Sequence, residues 1–341
     1  MVADKRKGII AVLVVVILVV SGAVVLVAVN NQQGSGGAGQ ITDALGRSIN
    51  ITNTPRTIIS MAPSITEMVY CLGAGDRLIG VTTYCDYPDN VTSRVENGTL
   101  STVGGFYTPD AQKIIVLNPD IVLMDSSVKA QKDALPLLLG RNLTVVALYK
   151  GTNITEVYSN IELAGKVLGE QQKATQLINE MSAEKSSLIS MVKNQTVHPS
   201  VLFAVGFSPL YVVGSGTYID DMINVSGGVN TFGDQNGWPS PSMEQVVMRA
   251  PDVLIVSAGM MQNDPQTLIS QLQNDSSWAM TPAVQNGQIY IVYGQTENCF
   301  FRQGVRMVDG MQLLAEILYP QLFGVQLPHV MGDGYEQYIT P

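Results

Sequence analysis

"TPDAQKIIVLNPDIVLM", Thr108 to Met124, and "SPSMEQVVMRAPDVLIV", Ser240 to Val256, are one pattern written twice at an offset of 132 residues. Pro109 falls on Pro241, Pro119 on Pro251 and Asp120 on Asp252. In each copy a hydroxyl residue, Thr108 or Ser240, is placed to cap a helix that opens with proline, where the missing N–H costs nothing. The second proline stops that helix and opens a short apolar run that reads as a buried strand. A unit of this size repeated once points to two halves of one α/β design.

Upstream of the first copy, the strand-like runs "RTIISMAP" (56–63) and "RLIGVTT" (77–83) alternate with the helix-like "SITEMVYCLGAG" (64–75). Strands alternating with helices imply a parallel sheet covered by helices. Between the copies, Thr155 to Lys193 is polar and helix-favouring, with a break near Gly169; Leu177, Met181, Leu188 and Met191 share one helical face. The expected fold is therefore two Rossmann-like α/β lobes joined by a long bridging helix, a spine that allows only modest opening of the cleft. The expected boundaries are 41–152 for the first lobe, 153–195 for the bridge, 196–325 for the second lobe and 326–341 for a tail.

Gly8 to Val29, "GIIAVLVVVILVVSGAVVLVAV", carries no charge. At about 1.5 Å per residue a helix of this length spans a hydrocarbon core of about 30 Å. Lys5, Arg6 and Lys7 precede it, which predicts residues 1–7 in the cytoplasm and the body outside. A cleavable secretory signal and a pilin-like signal cut beside Gly8 are the competing readings; the run's length and the absence of a small-x-small site favour an uncleaved transmembrane helix. No cysteine follows the run closely enough for a lipid anchor. Asn30 to Gln40 is Gly/Ser/Gln-rich and reads as a flexible linker. The expectation is a single-pass membrane protein with an extracytoplasmic body.

Hydrophobic residues make up 46% of the chain and charged ones 14%, which suits two packed cores and excludes disorder. The formal charge of −9 argues against a nucleic-acid partner. Sequons at Asn50, Asn90, Asn97, Asn142, Asn153, Asn194, Asn224 and Asn274 exceed what chance gives 19 asparagines, and fit a glycosylated, archaeal-type envelope. Cys71, Cys85 and Cys299 form no metal or redox spacing, and His198 and His329 each lie beside a proline without an acidic cluster, so a dedicated bare-metal site is not expected.

From Thr54 to Phe323 the chain resembles the helix-spined, class III substrate-binding proteins of ABC importers, the group of cobalamin- and ferric-siderophore-binding proteins. The resemblance rests on "PRTIISMAPSITEMVYCLGAGDRLIGVTTYCDYP", "GGFYTPDAQKIIVLNPDIVL", "GWPSPSMEQVVMRAPDVLIV" and "NCFFRQGVRMVDGMQLLAEIL". It implies capture of a metal chelate, a corrinoid, iron–siderophore or haem, in an interlobe cleft and delivery to an ABC importer permease, with no intrinsic cofactor. By motif match, Pro63, Tyr84 and Phe106 stand at first-lobe contact positions, and Tyr211, Trp238, Phe300 and Arg302 at second-lobe ones. Each aromatic has core packing as its alternative, and Arg302 a surface ion pair. Trp238 is the strongest of them, set between Gly237 and Pro239 in a polar loop.

The resemblance also implies an acid on each lobe tip that docks on the permease. Glu244 matches the second-lobe acid, but its repeat partner is Gln112, which leaves Asp110 as the nearby substitute. Ser64 and Glu67 form the capping-box pattern "SITE". Cys85 and Cys299 fall in the expected ligand-facing segments as a cross-cleft disulfide, a soft metal ligand or inert thiols. An enzyme on this fold lacks support: no nucleophile elbow, P-loop or dinucleotide fingerprint is present. A surface or filament-forming envelope protein is the remaining alternative.

Overall fold

The computed structural model describes residues 15–20, 23–28, 37–261 and 264–339. The chain divides into two compact units, Met1–Gly36 and Gly37–Pro341. In the first, β1 (Val15–Val20) pairs antiparallel with β2 (Ala23–Ala28), Val15 opposite Ala28 and Val20 opposite Ala23. The described part of the uncharged run is thus strand rather than one continuous helix. Its composition accounts for this: β-branched valine and isoleucine lose side-chain freedom in a helix and fit an extended chain. The basic end 1–7 and residues 30–36 of the linker lie outside the described residues.

The second unit opens with a hairpin, β3 (Gly39–Thr42) and β4 (Ser48–Ile51). The first lobe follows as β5 (Ile58–Ser60), α1 (Pro63–Cys71), β6 (Leu78–Val81), α2 (Asp89–Glu96), β7 (Ser101–Thr102), α3 (Ala111–Leu117), β8 (Ile121–Asp125), α4 (Lys129–Leu139) and β9 (Val145–Leu148). Its five strands are all parallel, in the order β7-β6-β5-β8-β9. Every residue of β5, β8 and β9 is buried, because helices cover both faces of the sheet, and this is why these strands read as unbroken apolar runs.

Two helices leave this lobe, α5 (Ile154–Leu168) and α6 (Gln171–Val192), with Gly169 at φ 72° turning the chain between them. The buried stripe of α6 is Ala174, Met181, Leu188 and Val192. Met191, expected on that face, is 40% exposed, because the stripe closes on the next residue.

The second lobe comprises β10 (Ser200–Phe207), β11 (Leu210–Val212), α7 (Tyr218–Val225), β12 (Val229–Asn230), α8 (Met243–Arg249), β13 (Val253–Ser257), α9 (Ala258–Met261) and α10 (Pro265–Asn274). It continues through α11 (Pro282–Gln285), β14 (Ile289–Val292), α12 (Gly294–Phe301), α13 (Met307–Leu318), α14 (Pro320–Phe323) and β15 (Val330–Met331). The sheet runs β11-β10-β13-β14-β15; β12 also pairs with β10, and only β11 is antiparallel. Each lobe has its own outer apolar cluster. A third cluster is continuous from Ile58 and Leu123 through Val157, Met181 and Leu188 to Phe203 and Leu314, so the spine helices join the two lobes in one core.

The repeat is visible in backbone and side chains alike. Helices α3 and α8 end on left-handed residues, Asn118 and Ala250, both at φ 46°, just before Pro119 and Pro251. Asp120 then accepts the Arg56 and Thr57 amides at 2.7 and 3.0 Å, while Asp252 accepts the Ser200 amide and hydroxyl, both at 2.8 Å. The Pro-Asp pair therefore pins each central strand to its neighbour. The caps lie two residues beyond the expected ones: Asp110 accepts from Lys113 N, and Ser242 forms a full capping box with Gln245. Pro109 and Pro241 precede these caps.

Candidate ligand-binding cleft

A cavity of about 180 Å³ lies where the chain leaves β9 and meets the second lobe. Lys150 and Thr152 line it from the first lobe; Tyr218, Trp238, Phe301 and Gln303 line it from the second. Gly151, at φ 73°, is needed there, since a Cβ on it would come within 2.7 Å of Gln303 Cβ. Trp238 is 46% exposed. Its ring stacks on Phe301 with centroids 6.5 Å apart and an 18° interplanar angle, and Phe301 sets its edge on the fully buried Phe203 at 5.9 Å. The loop carrying Trp238 is fixed by backbone bonds, Gly214 N to Gly237 O and Gly237 N to Ser215 O, both 2.9 Å. The outcome is a flat aromatic shelf founded on the core.

Next to the cavity, the lobes are joined by charge. Arg302, at the end of α12, donates to Glu67 at 2.8 Å, to Asp86 at 2.6 Å and to the Tyr84 carbonyl at 3.2 Å, all in the first lobe. Arg306 donates through two nitrogens to the same Glu67 at 2.9 and 2.7 Å and lies 4.1 Å from the Tyr87 ring centroid. Glu67 is 1% exposed, so its charge is tolerated only because two guanidiniums face it. Deeper in the joint, Tyr335 donates to Asp309 at 2.8 Å, and burial pushes the Asp309 carboxyl up to about 6.

On the first lobe, buried Gln131 accepts the Asp125 amide and donates to the Met61 and Phe106 carbonyls at 2.8 and 3.0 Å. One amide thereby holds the entry to α1 and the "GGFY" loop together.

With this geometry, the sequence pattern of the periplasmic binding proteins matches residues 58–296. The chain belongs to that family. An ABC transporter substrate-binding lipoprotein of Bacillus subtilis (strain 168), YvrC, is 30% identical over 287 residues, 83% of this chain and 86% of the relative. A vitamin B12-binding protein of Yersinia pestis (strain Pestoides F) is 26% identical over 231 residues, 65% of this chain and 79% of its own. Among solved structures, a possible iron-binding periplasmic solute-binding protein from Staphylococcus epidermidis aligns with a TM-score of 0.69 at 26% identity, covering 78% of this chain and all of the other. This binding protein is of class III, two parallel-sheet lobes on a helical spine, and serves ABC transport.

The expected single-pass membrane anchor is corrected by these findings. The YvrC relative is a lipoprotein, and no helix among the described residues is long and apolar enough to cross a membrane.

The sequence-derived site residues divide into groups. Trp238 lines the cavity. Phe300 touches it but is fully buried, with its ring edge on Phe203 at 5.4 Å; Phe301, one residue on, is the ring that pairs with Trp238. Arg302 is engaged in the interlobe ion pairs. Tyr84 and Tyr211 are exposed, Phe106 and Pro63 half-buried, and none of the four lines this cavity. Phe106 stands edge-on to the exposed Tyr107 at 4.7 Å. The "SITE" capping box does not form: α1 begins at Pro63 after Ala62 with no side-chain cap, and Glu67 faces the arginines. Cys85 and Cys299 are buried and unpaired; burial pushes the Cys299 thiol up to about 12, which makes it unreactive.

At the lobe tips Glu244 and Gln112 are both exposed in the first turns of α8 and α3. The Asp110 carboxylate caps α3, accepting the Lys113 amide at 2.9 Å.

Proposed function

We propose that this protein captures a flat metal chelate, a corrinoid or an iron chelate of the siderophore or haem type, between its lobes and delivers it to an ABC importer permease, acting by binding without catalysis. The observation that carries the reading is the Trp238–Phe301 shelf, an aromatic surface at an interlobe cavity whose remaining wall is largely polar, with Lys150, Thr152, Asn236 and Gln303 among it. The B12-binding relative and the possible iron-binding structure support the same ligand class. At about 180 Å³ the cavity is smaller than the ~300 Å³ at which small-molecule pockets begin. A corrin or porphyrin therefore enters with the lobes apart. Opening frees Arg302 from Glu67 and Asp86, and Arg302, Pro63, Tyr84, Phe106 and Tyr211 become the contacts around the shelf.

The test is thermal unfolding with cyanocobalamin, haemin and ferric siderophores, alongside the visible spectrum of purified protein. A ligand present at about 100 times its Kd adds ~2.7 kcal/mol to native-state stability. At least one chelate is expected to raise Tm by several degrees. A colourless protein whose Tm no member of the panel moves overturns the reading.

Docking is proposed through Glu244 on one lobe, with neutral Gln112 on the other. Glu244→Ala is expected to leave the Kd for the chelate within twofold while lowering uptake through the reconstituted importer several-fold, because a charge-assisted contact is lost only in the complex. A changed Kd with unchanged uptake removes Glu244 from the docking surface.

A further inference from the structure

Eight Asn-x-Ser/Thr sequons run through the chain, and ligand capture uses none of them. The fold sorts them by end. In a parallel sheet every strand starts at the same end, so a helix that leads into a new strand finishes there, away from the strand C-termini where the cleft forms. Lys150 and Thr152 follow the end of β9 at the cleft, and α3 and α8, which lead into β8 and β13, turn their first residues, with Gln112 and Glu244, the same way. Five sequons stand at the opposite end, where helices finish: Asn97 before β7, Asn142 before β9, Asn194 before β10, Asn224 before β12, and Asn274 at the end of α10 on the way to β14. All of these asparagines are exposed. The two sequons at the cleft end are engaged instead. Asn90, in the first turn of α2, accepts the Tyr70 hydroxyl at 2.5 Å, and half-buried Asn153 caps α5 by accepting the Glu156 amide at 2.9 Å.

A transferase reads the hydroxyl of the sequon as well as its asparagine, so both must be reachable on a surface segment. Thr99, Thr196 and Ser276 are exposed. Thr144 is half-buried, and Ser226 is fully buried, its hydroxyl donated to the Met311 carbonyl at 2.7 Å. Asn97 is the most openly presented. It is the C-cap of α2, Gly98 turns the chain at φ 76°, and the Thr99 amide and hydroxyl both donate to Asn97 Oδ1, at 3.0 and 2.7 Å. The remaining sequon, Asn50, lies within β4 opposite Gln40, where the ladder holds its backbone.

We infer that this protein is an N-glycoprotein, carrying glycans on Asn97, Asn194 and Asn274 that are added after the lobes have folded, at the end turned away from ligand and permease. The donor class is an oligosaccharide on a polyprenyl phosphate. The asparagine Nδ2 attacks the anomeric carbon of the sugar. A C–N bond forms as the C–O bond to phosphate breaks, the phosphate leaves with the electron pair, and a base of the transferase takes one amide proton. Glycans at these positions leave the cleft and the tips of α3 and α8 clear, so the inference holds whatever the ligand is.

Peptide mass spectrometry on the full chain purified from its own cells is the test. Peptides containing Asn97, Asn194 and Asn274 are expected to carry glycan mass on more than half of the molecules, with Asn90, Asn153 and Asn224 bare. Thr99→Ala, Thr196→Ala and Ser276→Ala each keep the asparagine and remove the hydroxyl, and each is expected to lower the intact mass by one glycan. Glycan on fewer than two of the three asparagines overturns the inference. So does glycan on Asn90, Asn153 or Asn224, the pattern left by transfer to an unfolded chain.

Discussion

Glu67→Ala is expected to destabilise the protein by about 3–5 kcal/mol, the cost of stranding buried charge without its partner. Glu67 is 1% exposed, and the side chains of Arg302 and Arg306 are 13% and 4% exposed. Its carboxylate accepts three of their N–H groups, at 2.7 to 2.9 Å, so truncation leaves two guanidiniums facing an apolar helix. Arg302 retains Asp86 and the Tyr84 carbonyl, and Arg306 retains Gln295 and the Tyr87 ring, which keeps the loss below that of two isolated buried charges. Urea unfolding of wild type, Glu67→Ala and Glu67→Gln measures it. The glutamine variant, which keeps an acceptor and the volume, should fall between the other two. A loss under about 1 kcal/mol for Glu67→Ala would show that water reaches the pair and that the lobes are not clasped there.

Glu67 also illustrates where the sequence stops being informative. In "SITE" it looks like a cap partner because Ser64 is three residues away, whereas its actual partners are 235 and 239 residues downstream. A local motif is legible; a charge pair across a cleft has no local signature. An acid on the buried side of "ITEMVY" was the available hint, since such a residue must find a cation. The α/β alternation, the repeat and the break at Gly169 were readable because β-branched runs, prolines and a left-handed glycine act on their own neighbours. Even there, Asp110 and Ser242 took the caps from Thr108 and Ser240, as a side-chain oxygen after the proline bonds the third amide beyond it. Phe300 and Phe301 could not be ranked from sequence. Both are aromatic, and the rotation of α12 about its axis decides which enters the core. The uncharged N-terminal run has the length of a membrane helix but a valine-rich, strand-favouring composition, and its described residues are strand.

Trp238→Ala is expected to weaken chelate binding about 10- to 100-fold while moving the Tm of the ligand-free protein by no more than a degree or two. The two halves of this expectation have separate causes. Trp238 is 46% exposed, and its loop is held by the backbone bonds of Gly214, Ser215 and Gly237, so the fold loses only the stacking on Phe301, about 0.5–1.5 kcal/mol at most. Bound ligand, by contrast, would cover the indole face turned away from Phe301, and truncating a tryptophan at the centre of a binding surface typically costs about 2 kcal/mol or more. Absorbance titration with whichever chelate raises Tm gives the Kd, and Trp238→Phe, which keeps a flat ring over Phe301, should recover most of the loss. Unchanged affinity in Trp238→Ala would remove the shelf from the site. A large fall in ligand-free Tm would instead make Trp238 a packing residue, and the exposed face of Phe301 would then have to bind the chelate alone.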